Sequence, residues 1–420
     1  MLSSPMFILQ YESASQDQMA HSPQPECPVC DSRDILDCIH IPSVPIYCNV
    51  LLADRAAALN APRGDIDLAF CRNCGHLFNA AFDPQRIDYT EDYENSLHFS
   101  PRFQEYARSL AEQLIARYDL RHKIVIEIAC GKGDFLKLLC ELGENQAIGF
   151  DPSYVSDRSA PTAAGALNVI KDYYSEAYAG YRADLICCRH ALEHIHRPRE
   201  FLATIRRAIG DNPTAVFFET PNALYTLEDL GIWDLIYEHC GYFCAHSLAT
   251  AFRRSGFEVR RVESAFGNQF LHLDALPAPP GAAPSPYPPT FNLLNSVQDF
   301  ARQYRDKVDG WQARLRDFQR QKRRAVLWGA GSKGVTFLNV LNAGQSVDYV
   351  VDLNPYKQGR FVPGTGHEVV SPDLLTVRRP AVVIVMNPNY AEEIGRTLTA
   401  MSIQAELIVN SPNPPPGLSP

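Results

Sequence analysis

The sequence predicts an α/β protein with two Rossmann-like domains behind a small cysteine-containing domain. Short apolar strands alternate with helical patterns across residues 101–275, and again across 325–411. Each of these regions holds a strand, a glycine-rich turn and a helix in succession. Two C-x2-C pairs stand in the first 100 residues, apart from both alternating regions. At 420 residues the chain is long enough for each domain to bury its own core.

The net charge and the lengths of the apolar segments argue against some classes of function. The net charge is -9 and the pI is about 5.8, which argues against a non-specific nucleic-acid binder. No run approaches the roughly 18–20 apolar residues that span a bilayer, so we expect no membrane partner. The N-terminus lacks the charged start of a signal peptide, and most cysteines stand singly in apolar segments. These features favour a cytoplasmic protein that acts on a small molecule, and they leave its oligomeric state open.

Changes of composition divide the chain. Between the two alternating regions stand the prolines of Pro277–Thr290, which exclude a continuous helix, and then apolar residues at helical spacing from Val297 to Phe318. We expect a disordered lead-in (1–22), a zinc-binding domain (23–100), a first α/β domain (101–275), a proline-rich linker with a long helix (276–324), a second α/β domain (325–411) and a disordered tail (412–420).

Four cysteines form two closely spaced pairs. The pairs "CPVC" and "CRNC" are separated by 40 residues, and two such pairs can place four thiolates tetrahedrally around a structural zinc ion. The expected zinc ligands are Cys27, Cys30, Cys71 and Cys74. His40 and Cys48 lie between the pairs and are alternative ligands. Reduced, unpaired thiols and a redox pair are the other interpretations.

The first glycine-rich turn follows the strand "IVIEI". Glu127, Ala129, Gly131 and Gly133 resemble motif I of the class I methyltransferases, which bind S-adenosylmethionine (SAM). Glycines let the backbone approach a ligand, and the acidic residue can receive the ammonium group of the methionine moiety. The pattern departs from G-x-G-x-x-G, since no third glycine follows. We therefore expect a class I SAM-methyltransferase fold in the central domain.

Residues downstream of this turn complete the expected cofactor site. Asp151 ends the next strand, where a carboxylate about 20 residues after the turn can hold ribose hydroxyls. Asp172 and Tyr173 are candidates to bracket the adenine. The strand "DLICCR" then ends at Arg189, which we also assign to the cofactor site.

A polar segment, "RHALEHI", follows that strand and includes His190, Glu193 and His194. We expect His194 to contact the acceptor. Packing and capping at a helix start is the alternative interpretation for Glu193 and His194.

These motifs resemble, in their order, the sugar C-methyltransferase family. The matching stretches include "CPVC", "VIEIACGKGDFL", "RHALEHI", "FFETPN", "YEHCGYF" and "GAGSKG". The resemblance implies an N-terminal zinc-binding domain, a central SAM-binding domain and a C-terminal Rossmann-like domain. It also implies methylation of a ring carbon in a nucleotide-linked keto-sugar.

The resemblance further implies a catalytic role for Glu238 and His239. Carbon methylation needs a base that removes the proton beside a ketone, and an imidazole suits this task near neutral pH. His239 is the expected base, and Glu238 would orient or charge-stabilise it. Tyr237 or Tyr93 would hydrogen-bond the developing oxyanion. A structural Glu-His ion pair is the alternative.

The expected acceptor site departs from the family. The family pattern Gly-Gly-Ser-Leu-Arg is replaced by "GNQF", so its arginine is absent. Asn268, Gln269 and Tyr242 are the acceptor-contacting candidates in this part of the chain. The change leaves SAM binding expected and keeps O- or N-methyl transfer to another acceptor open.

The second glycine-rich turn spans Gly329–Gly334 and resembles G-x-G-x-x-G, with Asp352 at the end of the next strand. Taken alone, it predicts a nicotinamide nucleotide and thus an NAD-dependent oxidoreductase. The family resemblance implies instead that this domain forms the substrate cleft. Lys333, at a helix N-terminus, is then a candidate contact for a substrate phosphate.

Overall fold

The computed structural model describes residues 25–155, 167–279, 281 and 293–410. The expected lead-in, most of the proline-rich linker and the expected tail lie outside these residues. Within the described part of the chain, no helix is both long and apolar enough to cross a membrane.

The N-terminal domain is built on a four-stranded antiparallel sheet in the order β1-β2-β3-β9. Its fourth strand comes from much later in the chain and pairs through Leu77 with Tyr242. The domain also contains one short helix, which Asp54 caps by accepting a hydrogen bond from the Ala57 amide. The elements are β1 (Ile35–Pro45), α1 (Arg55–Leu59), β2 (Arg63–Cys71) and β3 (Leu77–Asn79).

The central domain has a seven-stranded sheet in the order β10-β11-β8-β7-β4-β5-β6. Five strands are parallel, and the hairpin β10-β11 adds antiparallel to β8. The α/β prediction is confirmed. The seven strands are β4 (Ile124–Ile128), β5 (Gln146–Phe150), β6 (Leu167–Ile170), β7 (Leu185–Arg189), β8 (Ala215–Pro221), β10 (Phe257–Ala265) and β11 (Phe270–Pro277). The strand β9 (Gly241–Tyr242) lies between β8 and β10 in the chain but pairs in the N-terminal sheet. The helices are α2 (Pro101–Tyr118), α3 (Asp134–Gly143), α4 (Pro198–Ile209), α5 (Ala223–Leu227) and α6 (Ala245–Arg254).

The sequence explains where the first central helix begins and what it buries. The Ser100 hydroxyl caps α2 by accepting a hydrogen bond from the Phe103 amide, and Pro101 occupies the first turn. Apolar residues at spacings of three and four bury one face, and the helix ends at Asp119 in a left-handed conformation. The inner parallel strands β4, β7 and β8 are buried on both faces, which explains their nearly continuous apolar sequences.

The C-terminal domain is a second doubly wound sheet, with five parallel strands in the order β14-β13-β12-β15-β16. Its helix α8 follows the second glycine-rich turn directly. The elements are β12 (Ala325–Trp328), α8 (Ser332–Val340), β13 (Val350–Val351), β14 (Val369–Val370), β15 (Val382–Val385), α9 (Ala391–Ala400) and β16 (Glu406–Val409).

A long helix, α7 (Leu293–Arg320), joins the N-terminal and C-terminal domains. Its apolar stripe, including Phe300, Trp311 and Phe318, belongs to one core with residues of β1, β2 and β12. Trp311 also packs edge-on against Phe337 of α8. The N-terminal and C-terminal domains therefore share one hydrophobic core through this helix.

Candidate functional site

The first glycine-rich turn makes a backbone cradle at the carboxyl end of β4. Ala129, Gly131 and Gly133 all have positive φ, which lets the chain turn sharply before α3. A Cβ placed on Gly131 would meet nothing within 4 Å, so the space over this residue is open. Asp151 stabilises the turn, since one carboxylate oxygen accepts from the Gly131 amide at 2.8 Å.

Glu127 is a buried carboxylate behind this cradle. It is 2 % exposed, and its Oε2 has no hydrogen-bond partner among the described residues. Burial raises the pKa of Glu127 to about 8, and the nearby charge of Arg189 opposes this rise. An unsatisfied buried carboxylate beside an open cradle fits the ammonium group of SAM.

The other expected cofactor residues take different positions. Arg189 is buried and points to Glu219, with Nη2 2.8 Å from Oε1. Its guanidinium also covers the Phe135 ring at 4.0 Å. Asp172 accepts from the Tyr173 amide, and the Tyr173 side chain is exposed.

A cavity of about 290 Å³ lies between the central and C-terminal domains. The central domain and the segment before it contribute Tyr93, His190, Glu193, His194, Asp234, His239 and Gln269 to the lining. The C-terminal domain contributes Lys333, Asp352, Asn354, Lys357, Asn387 and Tyr390. The cavity has the size and polarity of a small-molecule site formed at a domain interface.

His239 presents a neutral imidazole to this cavity. Burial lowers its pKa well below the usual value, and the nearby His194 and Lys333 lower it further. Its Nδ1 is buried and has no hydrogen-bond partner among the described residues. His194 packs edge-on at 4.9 Å between ring centroids, and its Nδ1 lies 2.8 Å from the Tyr89 hydroxyl. A neutral imidazole is the form that can accept a proton.

Glu238 points away from His239, into the N-terminal domain. Its Oε2 accepts a hydrogen bond from the Cys48 amide at 2.7 Å. Burial raises the pKa of Glu238 to about 7. Tyr93 hydrogen-bonds this carboxyl group and also accepts from Asn49 Nδ2 at 3.3 Å. The two adjacent side chains therefore lie in different environments, Glu238 in the N-terminal domain and His239 on the cavity wall. Among the described residues, no contact is seen by which Glu238 would orient the His239 ring.

Three expected site residues do not line the cavity. Tyr237 packs flat against the β2 backbone, where a Cβ on Gly64 would lie 2.4 Å from its ring, and its hydroxyl accepts from the Asp83 amide. The Tyr242 hydroxyl donates to the Ile236 carbonyl at 3.1 Å. Asn268 sits in a tight turn with φ of 64° and is not part of the cavity lining.

Gln269 and Lys333 do line the cavity, and both bridge the two domains. Gln269 exchanges two amide hydrogen bonds with Asn387, at 2.8 and 2.9 Å. Lys333 forms an ion pair with Asp234, in the segment that leads to His239. The "GNQF" departure therefore falls at the domain interface on the cavity wall.

The second glycine-rich turn forms part of the same wall. Asp352 accepts from the Ala330 amide at 2.7 Å and from the Asn354 amide at 2.8 Å. Lys357 is buried and donates from Nζ to the Ala330 carbonyl at 3.1 Å. The turn is thus held from both sides by its own domain.

The cysteine quartet converges in the N-terminal domain. Sγ atoms of Cys27 and Cys74 lie 3.6 Å apart, and those of Cys30 and Cys71 lie 3.4 Å apart. All four thiols are buried, and their sulfur atoms lie within 4.8 Å of one another. Tetrahedral zinc with Zn–S bonds of about 2.3 Å needs sulfur atoms about 3.8 Å apart, so the residues fit this metal.

The two alternative ligands lie elsewhere. Cys48 packs against Glu238, and His40 Nδ1 lies 2.6 Å from Asp67. Neither belongs to the described group of four sulfur atoms.

Sequence reasoning missed several residues of the site. Asp234, Asn49 and Asn387 became visible only when the fold brought distant segments together. Glu219 left a signal that could have been used, because it is an ionisable residue inside the apolar strand "AVFFETP".

Two family models and one curated protein match this chain. A model described as a methyltransferase domain matches residues 100–262, and one described as a C-methyltransferase C-terminal domain matches residues 290–412. The curated C-methyltransferase NovU from Streptomyces niveus is 25% identical over 395 residues, which cover 89% of this chain and 91% of that protein.

Among solved structures, the magnesium protoporphyrin IX methyltransferase of Synechocystis PCC 6803 with bound SAH is 16% identical, with a TM-score of 0.34. The similarity covers 42% of this chain and 84% of that one. A putative SAM-dependent methyltransferase from Listeria monocytogenes is 10% identical, with a TM-score of 0.31, over 41% and 100% of the two chains. Similarity at this level carries no argument about function.

The two matched domains and the curated relative support a C-methyltransferase, and they show that the chain is a SAM-dependent methyltransferase.

Proposed function

We propose that this enzyme transfers the methyl group of SAM to a ring carbon of a nucleotide-linked keto-sugar, with His239 as the base. The observation that carries the proposal is the neutral imidazole of His239, whose Nδ1 has no hydrogen-bond partner among the described residues, on the wall of a cavity between two methyltransferase domains. The name of the C-methyltransferase relative supports carbon as the methylated atom.

The cofactor would lie over the first glycine-rich turn. Glu127 would bind the ammonium group of SAM, and Asp151 would bind its ribose hydroxyls. The open space above Gly131 would let the cofactor lie close to the backbone of the turn. When bound, SAM supplies an electrophilic methyl group. Asp172 and Tyr173 remain candidates for its adenine, although Tyr173 is exposed.

The chain's own residues would handle the acceptor. His239 would take the proton from the carbon beside the ketone, and Tyr93 would lie near the oxygen that becomes negative. Lys333 would attract a phosphate group of the nucleotide, while His194 and Gln269 would line the sugar pocket. Because methyl transfer follows deprotonation, water in the cavity would compete with the methyl group of SAM by returning a proton to the carbanion.

Zinc would hold the N-terminal domain together. Four thiolate ligands leave no open coordination position, so the metal would have a structural role. Metal analysis of the purified protein should give about one equivalent of zinc, and chelation should lower the melting temperature. Less than half an equivalent, with no change in melting on chelation, would contradict the assignment.

The experiment that tests the function is methyl transfer from isotopically labelled SAM to a panel of nucleotide-linked 4-keto-sugars, read by mass spectrometry. Label on a ring carbon is the expected result. His239→Ala should lower turnover by about 10²–10⁴-fold and leave SAM affinity unchanged. His367→Gln is a matched control, since burial also lowers the pKa of His367 to about 4, but this histidine lies outside the cavity.

Two results would change the assignment. Label on oxygen or nitrogen would replace the keto-sugar with another acceptor, and the "GNQF" wall would be the region to examine. Full turnover by His239→Ala would remove His239 from the mechanism.

A further inference from the structure

A buried carboxylate, Glu219, stands at the end of β8 between the cofactor cradle and the acceptor cavity. It is fully buried and accepts from Arg189 at two positions, 3.1 Å from Nε and 2.8 Å from Nη2. His272 Nε2 lies 2.8 Å from the other carboxylate oxygen, and the Tyr106 hydroxyl donates to that oxygen too. Arg189 contacts only Oε1, so His272 and Tyr106 satisfy Oε2, as a buried ion pair requires.

One more partner, His190, reaches into the cavity. Its Nε2 lies 2.8 Å from Glu219 Oε1. Its backbone amide donates to the Glu219 carbonyl at 2.8 Å. Glu219 therefore contacts both the main chain and the ring of His190.

The backbone of His190 is strained in a way that aims its ring. It has φ of 52°, a left-handed conformation that residues other than glycine rarely adopt, directly after β7. The ring is about a quarter exposed, packs edge-on against Phe270 at 4.5 Å and lines the cavity that His239 also lines. Such local strain persists only where the surrounding structure holds it, and here Glu219 provides that hold.

We propose that His190 is a second catalytic imidazole, and that Glu219 is the positioning residue that holds it toward the acceptor. This inference rests on the proposed function. Proton removal beside a ketone leaves negative charge on the ketone oxygen, which needs a donor in the cavity. The Tyr93 hydroxyl, proposed above to lie near this oxygen, is shared with Glu238 and Asn49, so His190 would supply a second donor.

The proposed reaction conserves atoms and charge. The acceptor C–H bond breaks and its proton goes to a His239 nitrogen, while the carbonyl electrons move to the oxygen. With Nε2–H turned to the Glu219 carboxylate, the ring of His190 would also carry a proton on Nδ1 and donate it as a hydrogen bond to that oxygen, with Glu219 balancing the charge of the doubly protonated ring. The new C–CH₃ bond then forms as the S–CH₃ bond of SAM breaks, and the carbonyl returns. The positive charge of the sulfonium is lost, and the charge on protonated His239 replaces it.

Glu219 also links this donor to the cofactor side. Arg189, which it holds, lies close enough to Glu127 to oppose the rise in that group's pKa. One buried carboxylate therefore positions a residue on the acceptor side and a cation on the cofactor side.

The test compares His190→Ala and Glu219→Gln with Asp274→Asn, at a temperature where all three variants are folded. Asp274 is a matched control, because it is also a buried carboxylate of the same sheet, bound by Arg117 and Arg261, but it does not line the cavity. Methyl transfer to the acceptor is measured with SAM. Solvent deuterium uptake by the acceptor is measured separately, with S-adenosylhomocysteine in place of SAM.

We expect His190→Ala to lower kcat and deuterium uptake by about 10²-fold, with the KM for SAM changed less than about threefold. Added imidazole should restore about tenfold of this loss, which a purely structural role would not allow. Glu219→Gln should lower kcat by about tenfold or more, and Asp274→Asn should leave kcat unchanged.

A His190→Ala enzyme with wild-type kcat would overturn this inference alone. A loss that imidazole does not restore, and that Asp274→Asn matches, would also overturn it. Wild-type enzyme that neither methylates nor exchanges any keto-sugar would overturn the proposed function together with it. Since His190 lies on the cavity wall, its truncation tests the idea even where Glu219→Gln fails to fold.

Discussion

The two glycine-rich turns of this protein share their local design but face different neighbours. In each, an aspartate at the end of the next strand accepts a backbone amide of the turn: Asp151 from Gly131 at 2.8 Å, and Asp352 from Ala330 at 2.7 Å. Each aspartate also accepts a second amide two residues further on. Sequence patterns around the two turns are similar for this reason.

The charges around them differ. Behind the first turn lies Glu127, a buried carboxylate with an unpartnered oxygen. At the second turn stands Lys333, which forms an ion pair with Asp234 of the other domain. The first turn therefore offers a cationic ligand an unpartnered carboxyl oxygen that becomes negative on deprotonation. The second turn contributes its cation to a wall that another domain completes. A glycine-rich turn alone therefore does not determine which ligand binds, because the charged residues beside it also matter.

Removing the charge behind the first turn should have the largest effect. Glu127→Gln keeps the shape and deletes the charge, so SAM affinity should fall by about 10- to 100-fold. Calorimetric titration measures this change. Asp352→Asn at the second turn is the control and should leave SAM affinity unchanged; equal losses in the two variants would erase the proposed difference between the turns.

Removing the cation at the second turn should give the opposite pattern. Lys333→Ala should raise the KM of the acceptor by about tenfold, because a cation that binds the acceptor throughout the reaction is lost. SAM affinity should not change. Initial rates over a matrix of both substrates separate the two constants, and a raised SAM constant would contradict the assignment of Lys333 to the acceptor side.

The raised pKa of Glu127 predicts a pH dependence at the first turn only. With a pKa of about 8 in the free protein, Glu127 must lose its proton to receive an ammonium group. SAM affinity should therefore rise by about fivefold from pH 7 to pH 8 and level off above pH 8. Glu127→Gln should show no such rise, and an equal rise in that variant would assign the titration to another group.

The smallest effect should come from the second turn's central glycine. Gly331 has extended φ, and a Cβ there would meet nothing within 4 Å, so Gly331→Ala should change the free energy of unfolding by less than about 0.5 kcal/mol. Gly334→Ala is the contrast, because its Cβ would lie 2.1 Å from the Gly329 carbonyl oxygen. Urea denaturation of both variants measures the difference, which would vanish if the turn could relax freely.

Much of the fold could be predicted because its signals are local. Apolar runs such as Ile124–Ile128, the glycines that follow them and the prolines of the linker act through backbone geometry over a few residues. The long helix followed from apolar spacing in the same way. The pairing of β9 with β3 could not be predicted, because two residues paired across the chain leave no periodic pattern.

The sequence indicated which residue types line the candidate site, but it did not indicate the direction in which each side chain points. Glu238 and His239 are adjacent in sequence, yet one side chain enters the N-terminal domain and the other enters the cavity. Side-chain direction at a short irregular segment depends on what packs beside it, as with Tyr237 against Gly64. Spacing alone carries no such information.

The short strand β9 also decides how this protein can be divided. The segment that carries His239 continues directly into a strand of the N-terminal sheet, where Gly241 pairs with Phe78. A fragment that begins at residue 101 would keep nearly all of both matched domains. It would lose β3, the strand with which β9 pairs directly after His239. The three domains are therefore not exchangeable modules, and a chimera must carry β3 and β9 from the same parent.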